Sequence, residues 1–220
     1  MEVLLHPPDH PDRHRPGPRG RLSTIGHAAA FRAFAGVAKA AGIGFMVIGG
    51  TFRDIAIRAA STRDIDVVLV DCAELPKQAM ARAGFRPVAG SKHAFRYRAR
   101  GQPGVDLEVA ALASSNEAAG PFSIAYQHSR KARIEGVVVR VPRLDDFVVL
   151  KLLAASAEIR RRSRDLTDVQ YTLEAFPDEA AGGALTVARL RARMRDVFGI
   201  GGERLKELVT LLRQARRGLP

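Results

Sequence analysis

Tryptophan is absent from the 220 residues, tyrosine occurs three times and cysteine once. The single Cys72 excludes an intrachain disulfide and a cysteine-built zinc cluster. Placed just after an apolar run, it reads as a small buried hydrophobe rather than a nucleophile. So few tryptophans and tyrosines give no evident platform on which the bases of single-stranded RNA would stack. Long apolar runs are missing too: residues 45–48 and 147–150 fall far short of the roughly 20 residues a membrane-spanning helix needs. The N-terminus has no apolar signal core, only a proline-, histidine- and arginine-rich stretch. These absences point to a cytoplasmic protein that makes no membrane contact. No Gly-Lys-Ser/Thr follows the paired glycines at 49 and 50, so there is no Walker loop there. Gly42-x-Gly44 precedes its strand, the wrong order for a dinucleotide fingerprint.

What is present in excess is positive charge. The formal net charge is +12, divided as about +3 over residues 1–41, about +5 over 42–141 and about +4 over 142–220. Such a spread-out balance fits a polyanionic partner such as nucleic acid. An arginine- and alanine-rich composition produces the same balance without any partner. Hydrophobic content of 46% with 26% charged residues describes a chain able to bury a substantial core.

Residues 1–22 hold His6, His10 and His14 at a spacing that would suit metal binding on a helix. Pro7, Pro8 and Pro11 argue against that helix, so this segment reads as a flexible tail. Ser23 or Thr24 caps a helix with Phe31, Phe34, Val37 and Ala38 on one face, ended by Gly42. Residues 45–48 read as a buried strand. Gly49-Gly50-Thr51 follows, then a helix with Phe52, Ile55, Ala56 and Ala59 facing inward. Thr51 and Asp54 have capping-box spacing, a structural reading of Asp54 that stands beside a catalytic one. Strands are expected over 64–70, 85–88, 93–99 and 105–112, with a short helix over 77–83 and a turn at 101–104. A strand pair around 133–141 turns at Glu135-Gly136. After Pro142 the pattern becomes helical, over 144–159, 164–176, 187–198 and 203–217. The expected plan is an α/β (α+β) domain over 23–141 followed by a helical bundle over 142–220.

The stretch that suggests chemistry is residues 45–70. Side chains alternate along a strand, so Asp64 and Asp66 project from one face, their Cα atoms about 7 Å apart. Carboxylates that close repel unless a positive group sits between them. On the strand over 105–112, Asp106 and Glu108 share one face, opposite Val105, Leu107 and Val109. If the two strands are neighbours, the acids converge, with Asp106 as the third carboxylate and Glu108 in reserve. Oxygen ligands of this kind suit Mg²⁺. Two such ions about 3.5–4 Å apart stabilise the attacking and leaving oxygens of a phosphoryl displacement. Paired glycines at a helix N-terminus admit a phosphate close to backbone N–H groups.

Gly49-Gly50, a short helix bearing Arg53-Asp54, and Asp64-Ile65-Asp66 after residues 51–63 resemble the nucleotidyltransferase superfamily. The GGxxRD form is similar to that of tRNA CCA-adding enzymes and poly(A) polymerases. Lys151-Leu152-Leu153-Ala154 and Arg164-Asp165-Leu166-Thr167-Asp168-Val169 resemble instead small bacterial AbiEii-like proteins. The resemblance spans much of residues 44–173 and implies a nucleotidyltransferase-type mixed sheet with flanking helices. It implies an enzyme using Mg²⁺ (two ions) and NTP, with Asp64, Asp66 and Asp106 as catalytic, metal-binding carboxylates. Gly49, Gly50, Thr51, Arg53 and Lys151 would contact the nucleotide. The acceptor hydroxyl would belong to an RNA 3′ end, a protein or a small molecule, and a toxin-like modification of tRNA falls within this expectation. The chain is shorter than CCA-adding enzymes and lacks their downstream nucleotide-selecting motif, which favours a small stand-alone transferase. The alternative is a catalytically inactive protein of the same fold that binds nucleotide or nucleic acid, or an antitoxin-like partner.

Overall fold

Alternating and fully apolar strand segments of the first half assemble side by side. The computed structural model describes residues 22, 25–57, 64–69, 75–91, 94–98, 104–111 and 119–218. Its strands are β1 (Phe45–Val47), β2 (Asp64–Leu69), β3 (Phe85–Pro87), β4 (Ala94–Tyr97), β5 (Val105–Ala111), β6 (Arg130–Ile134) and β7 (Val137–Val141). They form one mixed sheet in the order β3-β4-β5-β2-β1-β7-β6. β2 runs parallel to β5 and β1 parallel to β7, and the other pairs are antiparallel.

The alternation in β2 and β5 decides which way the sheet faces. Ile65, Val67 and Leu69 are buried, as are Val105, Leu107 and Val109, while the acids between them are half-buried or exposed. The helix α1 (Ile25–Ala40) lies against β2 and β5 and also touches α3 (Lys77–Arg82). Its Phe31 and Phe34 are fully buried and meet Phe45 edge-on at 6.2 and 4.9 Å between ring centroids. Burial of each such ring stabilises the fold by roughly 1.5–3 kcal/mol, with a further contribution from the edge-to-face geometry.

Several expectations are corrected here. The helix α2 spans Gly49–Ala56, with Ile48 at its N-cap and no side chain capping it. It therefore begins inside the glycine pair, and the Thr51–Asp54 capping box does not form: Thr51 lies one turn too far in. Asp54 instead accepts from the Arg53 guanidinium at 3.0 and 2.8 Å. The helix α4 (Ala119–Gln127) was not expected, because Gly120 and Pro121 disguise its first turn, where proline is in fact tolerated. The β6–β7 turn has positive φ at both Glu135 (48°) and Gly136 (81°), as a tight two-residue hairpin turn demands. Cys72, the three tail histidines, the Ser23/Thr24 cap and residues 101–103 of the expected turn lie outside the described residues.

The chain divides into two compact units, Met1–Val141 and Pro142–Pro220. The second is helical: α5 (Leu144–Ala157), α6 (Arg162–Ala175), α7 (Pro177–Ala181), α8 (Val187–Asp196) and α9 (Gly202–Arg217). α5 packs on α6, α8 and α9. Its first turn carries Asp145 and Asp146, suited to the positive end of the helix dipole. Asp146 is fully buried and accepts two hydrogen bonds from Arg193 of α8, at 2.8 and 3.0 Å. Arg160 and Arg161 are exposed, whereas Arg162 donates to the Ala155 carbonyl at 2.9 Å and so closes the end of α5. Among the described residues, no helix is long and apolar enough to cross a membrane.

Candidate active site

The turn from β1 into α2 is built around Asp66. Ile48 N–H donates to the Asp66 carbonyl at 3.0 Å. Gly49 then adopts φ +57°, in the left-handed region that glycine enters without strain. A Cβ at Gly49 would also collide with the Asp66 carboxylate and stand 2.9 Å from its Cβ. Next, Gly50 N–H donates to Asp66 Oδ2 at 2.7 Å, which places a carboxylate at the positive end of α2. Thr51 completes the junction: its hydroxyl accepts from Asp66 N–H at 2.9 Å and donates to the Asp64 carbonyl at 3.3 Å. Thr51 thus ties α2 to β2.

Parallel pairing of β2 with β5 sets Asp64 opposite Asp106 and Asp66 opposite Glu108. All four acids share the face turned away from α1. Within that set, one carboxylate oxygen each from Asp64, Asp66 and Glu108 lies within 4.8 Å of the others. Oxygens bound to one Mg²⁺ sit about 2.1 Å from it and hence up to about 4.2 Å apart. The observed spread is within reach of small rotamer changes, and the hard-oxygen donor set suits that ion. The residues fit the metal.

Asp106 behaves differently from the expectation. Its carboxylate is turned to β4, where Arg96 donates to it through Nε at 2.7 Å and through Nη2 at 2.8 Å. That hydrogen-bonded pairing holds the Asp106 carboxyl below the usual carboxylate range, against a smaller opposing effect of burial. The third acid of the cluster is therefore Glu108, whose longer side chain carries it into the group. Arg96 was not singled out from the sequence, yet antiparallel pairing of β4 with β5 sets it directly across from Asp106. A turn near residues 101–104 between two strands was the signal that could have revealed this cross-strand pair.

Arg53 is buried and bound to Asp54. Lys151 lies in the second unit, where its ammonium is buried between Asp165 at 2.8 Å and Asp168 at 2.7 Å, and 5.8 Å from the Phe147 ring centre.

No protein-family model and no curated protein matches the chain. Among solved structures, it is similar to an antigenic nucleotidyltransferase-like protein from Paracoccidioides brasiliensis, with a TM-score of 0.52 and 20% identity, over 70% of this chain and 78% of that one. The likeness is one of fold: the mixed sheet and its flanking helices are of the nucleotidyltransferase type. Weaker likenesses include a CCA-adding enzyme in complex with ATP, at TM-score 0.40 and 15% identity, over 87% of this chain and 51% of the other. A tRNA-processing enzyme gives TM-score 0.38 and 18% identity, over 88% of this chain and 57% of its own. Identity this low speaks to the nucleotidyltransferase fold alone.

Proposed function

We propose that the chain is a Mg²⁺-dependent nucleotidyltransferase that moves a nucleoside monophosphate from an NTP to an acceptor hydroxyl. The observation that carries this reading is the convergence of Asp64, Asp66 and Glu108 from two parallel strands, beside the Gly49-Gly50 turn. Binding alone gives no reason to gather acids that repel a polyanion on a chain of net charge +12.

In this reading Asp64, Asp66 and Glu108 would hold Mg²⁺. Once bound, the ion supplies charge neutralisation at the phosphates and stabilises the attacking and leaving oxygens. Gly49 lets the backbone come close to a triphosphate, which would meet the N–H groups opening α2 other than that of Gly50, already bound to Asp66. The acceptor oxygen forms a bond to the α-phosphorus, the bond from that phosphorus to the β-phosphate oxygen breaks, and pyrophosphate leaves with the electron pair. The hydroxyl proton passes to a carboxylate of the cluster, for which the exposed Glu108 is the best placed. Arg53 orders α2 through Asp54, and Lys151 has a structural part in the second unit.

The test incubates the protein with Mg²⁺, each α-labelled NTP in turn, and total RNA or total protein. Label is expected to enter the acceptor and to be lost in Asp64→Asn and Asp66→Asn, which keep size and hydrogen bonding. Mg²⁺-dependent NTP binding without transfer to any acceptor would favour a non-catalytic nucleotide-binding protein. Absence of both binding and transfer would overturn the reading.

A further inference from the structure

The face that carries the acids does not end at β5. Strand register extends it outward: Asp64 of β2 lies opposite Asp106 of β5, Asp106 opposite Arg96 of β4, and Arg96 opposite Arg86 of β3. Neighbouring strands are about 4.8 Å apart, so this row runs about 14 Å from the acids to the sheet edge. Arg98, two residues beyond Arg96, points the same way. All three arginines are exposed. Arg96 and Arg98 line two hollows: one, of about 320 Å³, also reaches Gly104 and Asp106, and the other, of about 650 Å³, reaches Arg86 and Val88. An arginine-lined trough therefore runs from the β3 edge to Asp106, the register neighbour of Asp64.

Among the described residues, neither Arg86 nor Arg98 forms an ion pair. Arg96 is held by Asp106 through two N–H groups. A guanidinium has five N–H donors, so about three remain for another anion, in a side chain already fixed in place.

Position distinguishes what this strip can serve. The Gly49-Gly50 turn ends β1, and β1 flanks β2 on the side away from β5. In-line displacement requires the attacking oxygen and the leaving pyrophosphate on opposite sides of the α-phosphorus. With the triphosphate on the β1 side, the acceptor enters over β5, β4 and β3. We propose that Arg86, Arg96 and Arg98 dock the phosphodiester backbone of a single-stranded RNA acceptor and lead its 3′ hydroxyl to Asp64, Asp66 and Glu108. The proposal rests on the nucleotidyl-transfer reading and adds the acceptor class and its route. Guanidinium pairs match phosphate geometry, and backbone contacts need none of the aromatic stacking the sequence lacks. Folded protein partners instead seat buried aromatic and apolar anchors, which a strip of exposed arginines does not provide.

The experiment uses the full chain and a fluorescein-labelled oligoribonucleotide of roughly 12 nucleotides, within the size range of single-strand-binding surfaces. Anisotropy without NTP reads RNA affinity, and Mg²⁺–NTP binding is measured separately. Arg86→Ala/Arg98→Ala is expected to weaken RNA binding about tenfold at ~0.15 M salt and to flatten the log K against log salt slope by about 1.4, or about 0.7 per phosphate contact. NTP affinity should stay unchanged, and Arg86→Lys/Arg98→Lys should recover most of the slope. Circular dichroism confirms folding of each variant. Unchanged RNA affinity with intact NTP binding overturns the docking strip and leaves the transferase reading standing. A loss of NTP affinity instead makes the strip a triphosphate subsite, and preference for a polyglutamate peptide over the RNA makes the acceptor a protein; either result overturns the proposal.

Discussion

Two independent demands meet at Gly49. Its φ of +57° belongs to the left-handed region, and the space where a Cβ would stand is occupied by the Asp66 carboxylate. The left-handed conformation alone costs a non-glycine residue roughly 1–2 kcal/mol. Relief of the collision would require Asp66 to leave both the Gly50 N–H and the acid cluster. Gly49→Ala is therefore expected to lower stability by about 2 kcal/mol or more and to abolish Mg²⁺-dependent NTP binding. Urea unfolding and nucleotide titration read the two effects separately. Gly36→Ala, a control in α1 with open space around the added methyl, should do neither. A Gly49→Ala protein of native stability with intact NTP binding would show that Asp66 need not sit against this turn. Asp106 carries a second lesson at this scale. It shares a face with Asp64, but one guanidinium across the strand decides where its charge is directed.

At the scale of elements, the junction of α5 with α6 is held by a buried charge cluster. Lys151 of α5 places its ammonium between Asp165 and Asp168 of α6, with both carboxylates almost wholly buried. Removing the cation strands two buried carboxylates, so Lys151→Met is expected to cost about 3–5 kcal/mol. Adding Asp165→Asn and Asp168→Asn to it should restore much of that loss in urea unfolding. Loss of NTP binding by Lys151→Met at full stability would instead give the lysine a direct part at the phosphates. The elements themselves were largely legible in the sequence. Residues 64–67 and 105–109 alternate between acid and hydrophobe and run on into apolar residues, and the observed β2 and β5 fall within the expected strands 64–70 and 105–112 because one face must be buried. The start of α2 was misplaced because Thr51 imitates a cap, while its hydroxyl serves a contact with β2 made across residues distant in sequence. Pairing partners were not legible either: nothing local to β5 says that β2 is its neighbour, or that Glu108 rather than Asp106 reaches the cluster.

At the scale of the whole molecule, an acidic centre sits in a protein of net charge +12, and the two should act on RNA with opposite sign. Two carboxylates about 8 Å from a bound phosphate each oppose it by roughly 0.5 kcal/mol at an aqueous dielectric constant. Together they weaken binding by about 1 kcal/mol, or about fivefold, at low ionic strength. In EDTA-containing buffer, Asp64→Asn/Asp66→Asn is therefore expected to bind the labelled oligoribonucleotide about fivefold more tightly than the native chain. Asparagine at 66 can still accept from Gly50 N–H, so the turn is preserved while its charge is removed. Added Mg²⁺ should raise the affinity of the native chain towards that of the variant, after allowance for its screening of the RNA, measured on the variant itself. Raising the salt should erase the difference, because exposed charges beyond about 8–10 Å are screened at physiological ionic strength. Equal affinity of both proteins in low salt would mean that RNA is bound far from Asp64 and Asp66, by charge elsewhere on the molecule.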